Sequence, residues 1–194
     1  MGDAAALLII DVIHPFDFRG ASALVRATRR IVPALLRTRA AFDRAGLPTI
    51  YCNDNFGQWR SDFRAVIDAC TKPDNPGADV VGALLPRPSD YFVLKPRHSA
   101  FHATPLAILL ASLQVRHVYV AGIAADACVI DSVVDAHMHD LVARVVSDAV
   151  AAETPARCRR ALQLVAARGV ARLVRSGSVG RTLRTPARRQ ANAK

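Results

Sequence analysis

Residues Val118 to Asp135, VYVAGIAADACVIDSVVD, decide the fold. A β-branched apolar run (Val118, Tyr119, Val120) gives way to Gly122, then to a turn of small residues, then to Cys128 at the head of a run with apolar side chains at helical spacing. The pattern places a thiol where a strand becomes a helix. At such a junction the unpaired N–H groups and the positive end of the helix dipole favour thiolate over thiol, which makes Cys128 a candidate nucleophile. A buried cysteine that only packs is the competing reading, because free cysteines are among the most buried residue types. The rest of the chain has to decide between them.

Upstream, Leu7 to Ile10 is a continuous apolar run ending in Asp11. It suits a strand buried on both faces of a parallel sheet, with a carboxylate at the C-terminal edge where open α/β sheets bind ligands. Helical spacing follows from about Ala23 to Ala45, closed by Gly46, and Pro33 is expected to kink it or to start a second helix. Pro48 to Asn53 predicts a second strand running into Asp54 and Asn55. A helical pattern through Phe63, Val66, Ile67 and Cys70 leads to a loop expected over Lys72 to Pro88, where Pro and Gly recur. Tyr91 to Leu94 predicts a third strand ending on Lys95. A helix is expected from Thr104 to Leu113, with Thr104 as its N-cap and Pro105 in its first turn.

Beyond the central stretch, Leu141 to Val146 reads as a fifth strand, Pro155 to Ala167 as a helix capped by Thr154, and Val170 to Val174 as a sixth strand. Strands alternating with helices at this spacing mean an α/β fold, with a mostly parallel sheet of five or six strands covered on both faces.

The chain has 194 residues, enough for one domain with its own core. No apolar run reaches the ~18 residues of a membrane span, and no secretory signal precedes the first strand, so a cytoplasmic protein without a membrane partner is expected. Four cysteines, Cys52, Cys70, Cys128 and Cys158, lie far apart without a CxxC pair, which argues for free thiols. The net charge of +10 suggests nucleic acid until it is located: six of the 26 basic residues and none of the 16 acidic ones fall between Arg175 and Lys194. A domain over residues 1–176 is therefore expected to be followed by a basic, disordered tail over 177–194. No basic stripe with interleaved aromatics marks the body, so no specific nucleic-acid partner is expected.

Asp11, Lys95 and Cys128 each fall at or just past the C-terminal end of a predicted strand, and a parallel sheet brings those ends to one edge. Chemically the set is complete. Cys128 is placed to attack, Asp11 to take its proton and return it to a leaving amine, and Lys95 to hold the two negative charges together. Backbone N–H groups in the turn before the helix supply an oxyanion hole. Taken singly, the aspartate has a turn cap as its lesser reading and the lysine is more often a surface residue than not; their joint position carries the weight.

Three blocks together resemble the isochorismatase-like cysteine hydrolase family: LLIID with a following Phe (Asp11, Phe16), VLKPRHSAFHATPL around Lys95, and VAGIAADACVIDSVVDAH around Cys128. The resemblance runs from about Leu7 to Val150. It implies a Rossmann-like three-layer α/β/α sandwich, a homo-oligomer, and hydrolysis of a C–N bond of a small amide or ureide through a thioester on Cys128, with Asp11 as base and acid and Lys95 as support. It also implies a cis peptide between Ile123 and Ala124, with the Ala124 and Cys128 N–H groups facing the substrate oxygen, and a small-molecule substrate near Phe16.

Nicotinamidase-like members of the family bind a metal through an Asp and nearby histidines after the second strand. Here Asp54 is followed by Asn55, Phe56 and Gly57, so no metal or other cofactor is expected; the segment NDNFGQWRSDF instead resembles another branch of the family, which implies Asn55, Phe56 and Trp59 as pocket residues, with a loop packed through Phe56 and Trp59 as the alternative. His14-Pro15 stands where Asn-Asp is common before the Phe. His98 and His102 are assigned to the rim. Two other activities were weighed. Isochorismatase-type vinyl-ether hydrolysis needs the Asp and Lys but no thiol, so an intact Cys128 speaks against it. A non-catalytic oligomer would use Cys128 as a redox sensor.

Overall fold

The strands β1 (Ala4–Ile10), β2 (Thr49–Asp54), β3 (Tyr91–Lys95), β4 (Val115–Ile123), β5 (Val142–Ala151) and β6 (Ala171–Val174) form one sheet in the order β3-β2-β1-β4-β5-β6. This computed structural model describes residues 4–59 and 62–184. Every strand pairing is parallel, so the C-terminal ends gather at one edge. The order reverses between β1 and β4, which is where such sheets open a crevice for a ligand.

Among the described residues seven α-helices cover the sheet: α1 (Ala21–Arg44), α2 (Phe63–Cys70), α3 (Ala78–Ala83), α4 (Leu106–Ser112), α5 (Ile130–Met138), α6 (Pro155–Ala167) and α7 (Val179–Arg184). Alternation along β1 explains the layering. Leu7 and Ile9 pack with α1, α2, α3 and α7, whereas Leu8 and Ile10 pack with α4, α5 and α6. A strand buried on both faces has to be apolar throughout, which is why LLII has no polar beat. The result is the expected three-layer α/β/α sandwich.

Several boundaries differ from expectation, each for a local reason. α1 runs unbroken through Pro33. Pro33 and Arg29 are both exposed, so the Arg29 carbonyl that loses its partner faces solvent rather than core. Within the expected loop over Lys72 to Pro88 the chain forms α3, whose Val80 and Val81 are buried; burial, not propensity, holds this short helix around Gly82. The expected tail starts later than residue 177. Val179 is fully buried, Leu183 packs beside it, and the Tyr119 hydroxyl donates to Thr182 Oγ1 at 2.9 Å, so the segment through Arg184 docks on the α1 face. Residues 185–194 of that tail lie outside the described residues. Among the described residues no helix is long and apolar enough to cross a membrane.

Candidate active site

Asp11 leaves β1 with φ 50, a left-handed turn that swings its side chain back over the strand ends. Its N–H donates to the Cys52 carbonyl at 3.0 Å, and its Oδ1 accepts the Asp54 N–H at 2.8 Å, so the carboxylate is fixed from its own backbone and from β2. Lys95 closes β3 and is 0% exposed. Its ammonium lies 2.8 Å from Asp11 Oδ2 and 3.9 Å from Asp54 Oδ2, and it donates to the Arg97 carbonyl at 3.1 Å and to Cys128 Sγ at 3.5 Å. Asp11, Asp54 and Cys128, far apart in sequence, thus share one ammonium. A lone buried lysine would be costly; one satisfied by two carboxylates, a carbonyl and a sulfur is held in a fixed place.

Cys128 sits beyond β4 in a single π-helical turn, Ala125–Val129, that leads into α5. The sequence pattern placed it at the first turn of an ordinary helix. The Ala127 and Val129 N–H groups both donate to the Ala124 carbonyl, at 3.1 Å each. The Ile123–Ala124 peptide is cis, as the resemblance implied. Among the described residues the Ala124 N–H has no hydrogen-bond partner, which leaves it available to a bound oxygen. Two devices hold this turn in place. Gly122 has φ 116, and a Cβ there would stand 2.1 Å from the Ile10 carbonyl oxygen, so only glycine lets β4 come this close to β1. Below the thiol, the buried Ser132 hydroxyl donates to the Cys128 carbonyl at 2.6 Å and accepts the Ala100 N–H at 2.9 Å, which ties the loop after Lys95 to α5.

The thiol is not the thiolate that the strand-to-helix argument anticipated. Burial pushes Cys128 up to about 12 and the Asp11 carboxylate adds to the rise, with Lys95 pulling the other way. A helix terminus offers about 0.3–1 kcal/mol, under one pKa unit, and burial of a sulfur beside a carboxylate outweighs it. Burial also works against the Lys95 ammonium, but Asp11, Cys128 and Asp54 together prevail and its pKa lies above the ordinary lysine value. The resting site therefore holds a neutral thiol beside an ion pair.

The expected pocket residues divide. Phe16 is buried, at φ 50, with its ring against Gly77, where a Cβ would fall 2.3 Å from the ring. Asn55 is buried beside Lys95: its N–H donates to the Lys95 carbonyl at 3.0 Å and its side-chain oxygen accepts the Gly57 N–H at 3.0 Å, so it shapes the loop more than it reaches outward. Phe56 is half-buried at the mouth. Trp59 is 77% exposed. Asp54 caps the loop by accepting the Phe56 N–H at 2.6 Å. Cys52, Cys70 and Cys158 are free thiols, and burial raises the pKa of each. His98 is exposed, 3.4 Å from Asp131, and His102 is exposed nearby.

One residue escaped the pattern. His14 stands among the rings of Phe16, Phe18 and Phe56, with centroids at 4.6, 5.8 and 5.3 Å. Its Nδ1 accepts the Phe16 N–H at 2.7 Å, so the neutral ring carries its proton on Nε2. Burial lowers its pKa, while Asp11, Asp17 and Asp54 pull it up and Lys95 down; it therefore feels the site's charges directly. The sequence signal was a histidine three residues after the strand-end aspartate.

Comparison with known proteins bears on the same stretch. The model of the family described as the isochorismatase domain matches residues 5–175. The uncharacterized isochorismatase family protein YaaI of Bacillus subtilis is 36% identical over 149 residues, covering 77% of this chain and 81% of that one. A crystal structure of an isochorismatase family protein from Desulfovibrio vulgaris superposes with a TM-score of 0.75 at 26% identity, over 94% of this chain and 100% of the other. N-carbamoylsarcosine amidase from Thermoplasma acidophilum superposes with a TM-score of 0.68 at 27% identity, over 89% and 96%. With its six-stranded parallel sheet and this match over nearly the whole described chain, the protein belongs to the isochorismatase family of hydrolases.

Proposed function

We propose that this chain hydrolyses the C–N bond of a small amide or ureide through a thioester on Cys128. The observation that carries the reading is the fully buried Lys95 ammonium, bonded at once to Asp11 Oδ2 at 2.8 Å and Cys128 Sγ at 3.5 Å. The similarity to N-carbamoylsarcosine amidase supports the substrate class.

In the forward step Asp11 takes the thiol proton as the sulfur attacks the substrate carbonyl carbon. The oxygen becomes an oxyanion facing the Ala124 and Cys128 N–H groups, donors of a type whose loss typically costs ~100-fold or more in rate. The C–N bond then breaks and Asp11 returns its proton to the leaving nitrogen, leaving a thioester and a neutral amine. Water enters, gives its proton to Asp11 and its oxygen to the acyl carbon, and the thioester breaks to free the acid and restore the thiol. Lys95 keeps one ammonium beside the pair throughout, and no step needs a metal or other cofactor. Phe16 and Phe56, with the His14 ring between them, suit a small, flat substrate.

The test is ammonia release from a panel of small primary amides, ureides and carbamoyl compounds, with Cys128→Ser as control. Turnover of one class by the wild type and its loss in the variant is the expected result. Turnover that survives Cys128→Ser would overturn the thioester, as would trapping that labels Cys158 in place of Cys128.

A further inference from the structure

The inward half of α1 and the segment that leads into α7 enclose two adjoining grooves that the hydrolytic site does not use. One, of about 360 Å³, is lined by Arg37, Arg44, Arg181 and Arg184 with Ala40, Ala41, Ser176 and the glycines Gly177 and Gly180. The other, of about 410 Å³, shares Arg37, Ser176, Gly177 and Arg181 with the first and adds Arg175, Ser178 and Asp148. Among the described residues the two linings hold five arginines and one acid, and that acid is already engaged: Asp148 accepts the Ser176 N–H at 2.7 Å and its hydroxyl at 2.8 Å, and lies 3.8 Å from Arg175.

The arrangement is built as well as charged. Ser176 is 4% exposed, and while its hydroxyl donates to Asp148 its oxygen accepts Arg37 Nε at 3.3 Å. Arg37 is thereby held through its Nε, and it lines both grooves. Among the described residues no carboxylate lies within ion-pair distance of Arg37, Arg44 or Arg184. Guanidinium forks match phosphate oxygens in pairs, and a charge-assisted bond of this kind is about twice as strong as a neutral one. Small residues (Ala40, Ala41, Gly177, Gly180) stand between the arginines and leave space for an anion. From this geometry we infer that the joined grooves bind a small anion carrying two or more linked phosphate groups, with Arg37 at the junction contacting both ends.

Titration calorimetry on the full chain tests it, with inorganic tripolyphosphate and pyrophosphate as probes, orthophosphate and citrate as controls, and physiological salt throughout. Saturable binding of tripolyphosphate, at least about tenfold tighter than orthophosphate, is the expected result. Arg37→Ala and Ser176→Ala should each weaken it by about tenfold or more, the second by releasing Arg37. The double variant Arg44→Ala/Arg184→Ala touches only exposed side chains and should weaken tripolyphosphate more than pyrophosphate, with the melting temperature unchanged. Cys128→Ser should bind as the wild type does, which separates this site from the hydrolytic one. Absence of saturable binding overturns the inference. So does equal affinity for citrate, indifference to Arg37→Ala, or binding of single-stranded RNA that tripolyphosphate does not displace.

Discussion

Asp11→Asn separates the two things that the carboxylate does to Cys128. Asparagine keeps the shape and the acceptor for the Asp54 N–H, but it removes a negative charge that raises the thiol pKa. Burial still raises that pKa, and the Lys95 ammonium at 3.5 Å still lowers it, so the sulfur becomes more acidic than in the wild type. With its pKa pushed up by burial and by Asp11, only a small fraction of Cys128 is thiolate at pH 8. Each unit of fall multiplies that fraction by about ten, while lower basicity blunts each thiolate, so alkylation rises by about threefold per unit. Turnover moves the other way. Without a base in contact with the thiol, the rate on whichever panel amide the wild type hydrolyses falls by about 10²–10⁴. The variant also leaves a buried ammonium short of its nearest partner, at a cost of about 3–5 kcal/mol in stability, so melting curves must accompany the kinetics. Ultraviolet thiolate absorbance against pH, referenced to the same background carrying Cys128→Ser, reads the midpoint. An unchanged or higher midpoint in Asp11→Asn refutes the charge argument, and turnover within about tenfold of wild type refutes the base.

Four further expectations follow from the same contacts. Gly122→Ala drives a methyl to 2.1 Å from the Ile10 carbonyl at φ 116 and should abolish cooperative folding, read by thermal melting. Ser132→Ala leaves the Ala100 N–H without its acceptor and should lower stability by about 1–3 kcal/mol in a urea titration, with kcat reduced as the Cys128 turn loosens. All four thiols and Lys95 have raised pKa values, so the folded state holds protons more tightly than the unfolded one. That stabilisation is complete below the ordinary thiol pKa and fades as pH climbs from about 9 toward 12; Cys52→Ala should flatten the fall of melting temperature over that window even as it lowers the curve. His14→Leu keeps the ring cluster apolar but removes the Nε2 donor and the acceptor for the Phe16 N–H, and should raise KM about tenfold while kcat changes far less.

The strands and their chemistry were readable because a parallel sheet converts a sequence rule into a spatial one. Apolar runs ending in Asp11 and Lys95, and one leading toward Cys128, imply that these side chains meet once the strands are parallel, and they do. What lay beyond reach depended on tertiary context. A lysine after a short strand reads as a surface residue, and nothing local announces that Lys95 is fully buried under two carboxylates. Trp59 was placed by the resemblance of its segment to a branch of the family, and sequence alone does not show that the loop after β2, turning through Phe56 and Gly57 at positive φ, leaves the indole 77% exposed. α3 and α7 are six residues each and exist through Val80, Val81 and Val179, contacts that periodicity over so short a span does not register. The thiol acidity failed for a different reason: the dipole argument was sound in sign and too small in size.

The charge account of the site explains why the thiol rests protonated and why that suits the proposed chemistry. Asp11 and Asp54 already bring two negative charges to the one ammonium of Lys95. A standing thiolate would add a third inside a largely buried crevice, which is what the raised thiol pKa expresses. Moving the proton from Cys128 to Asp11 adds nothing to that sum. It relocates one negative charge from an oxygen 2.8 Å from Nζ to a sulfur 3.5 Å from the same Nζ. The net charge beside the ammonium is therefore the same before and after transfer, and Lys95 holds the negative charge in either place. The nucleophile then exists only while a carbonyl is present to consume it, which also spares the cysteine from oxidants that attack standing thiolates.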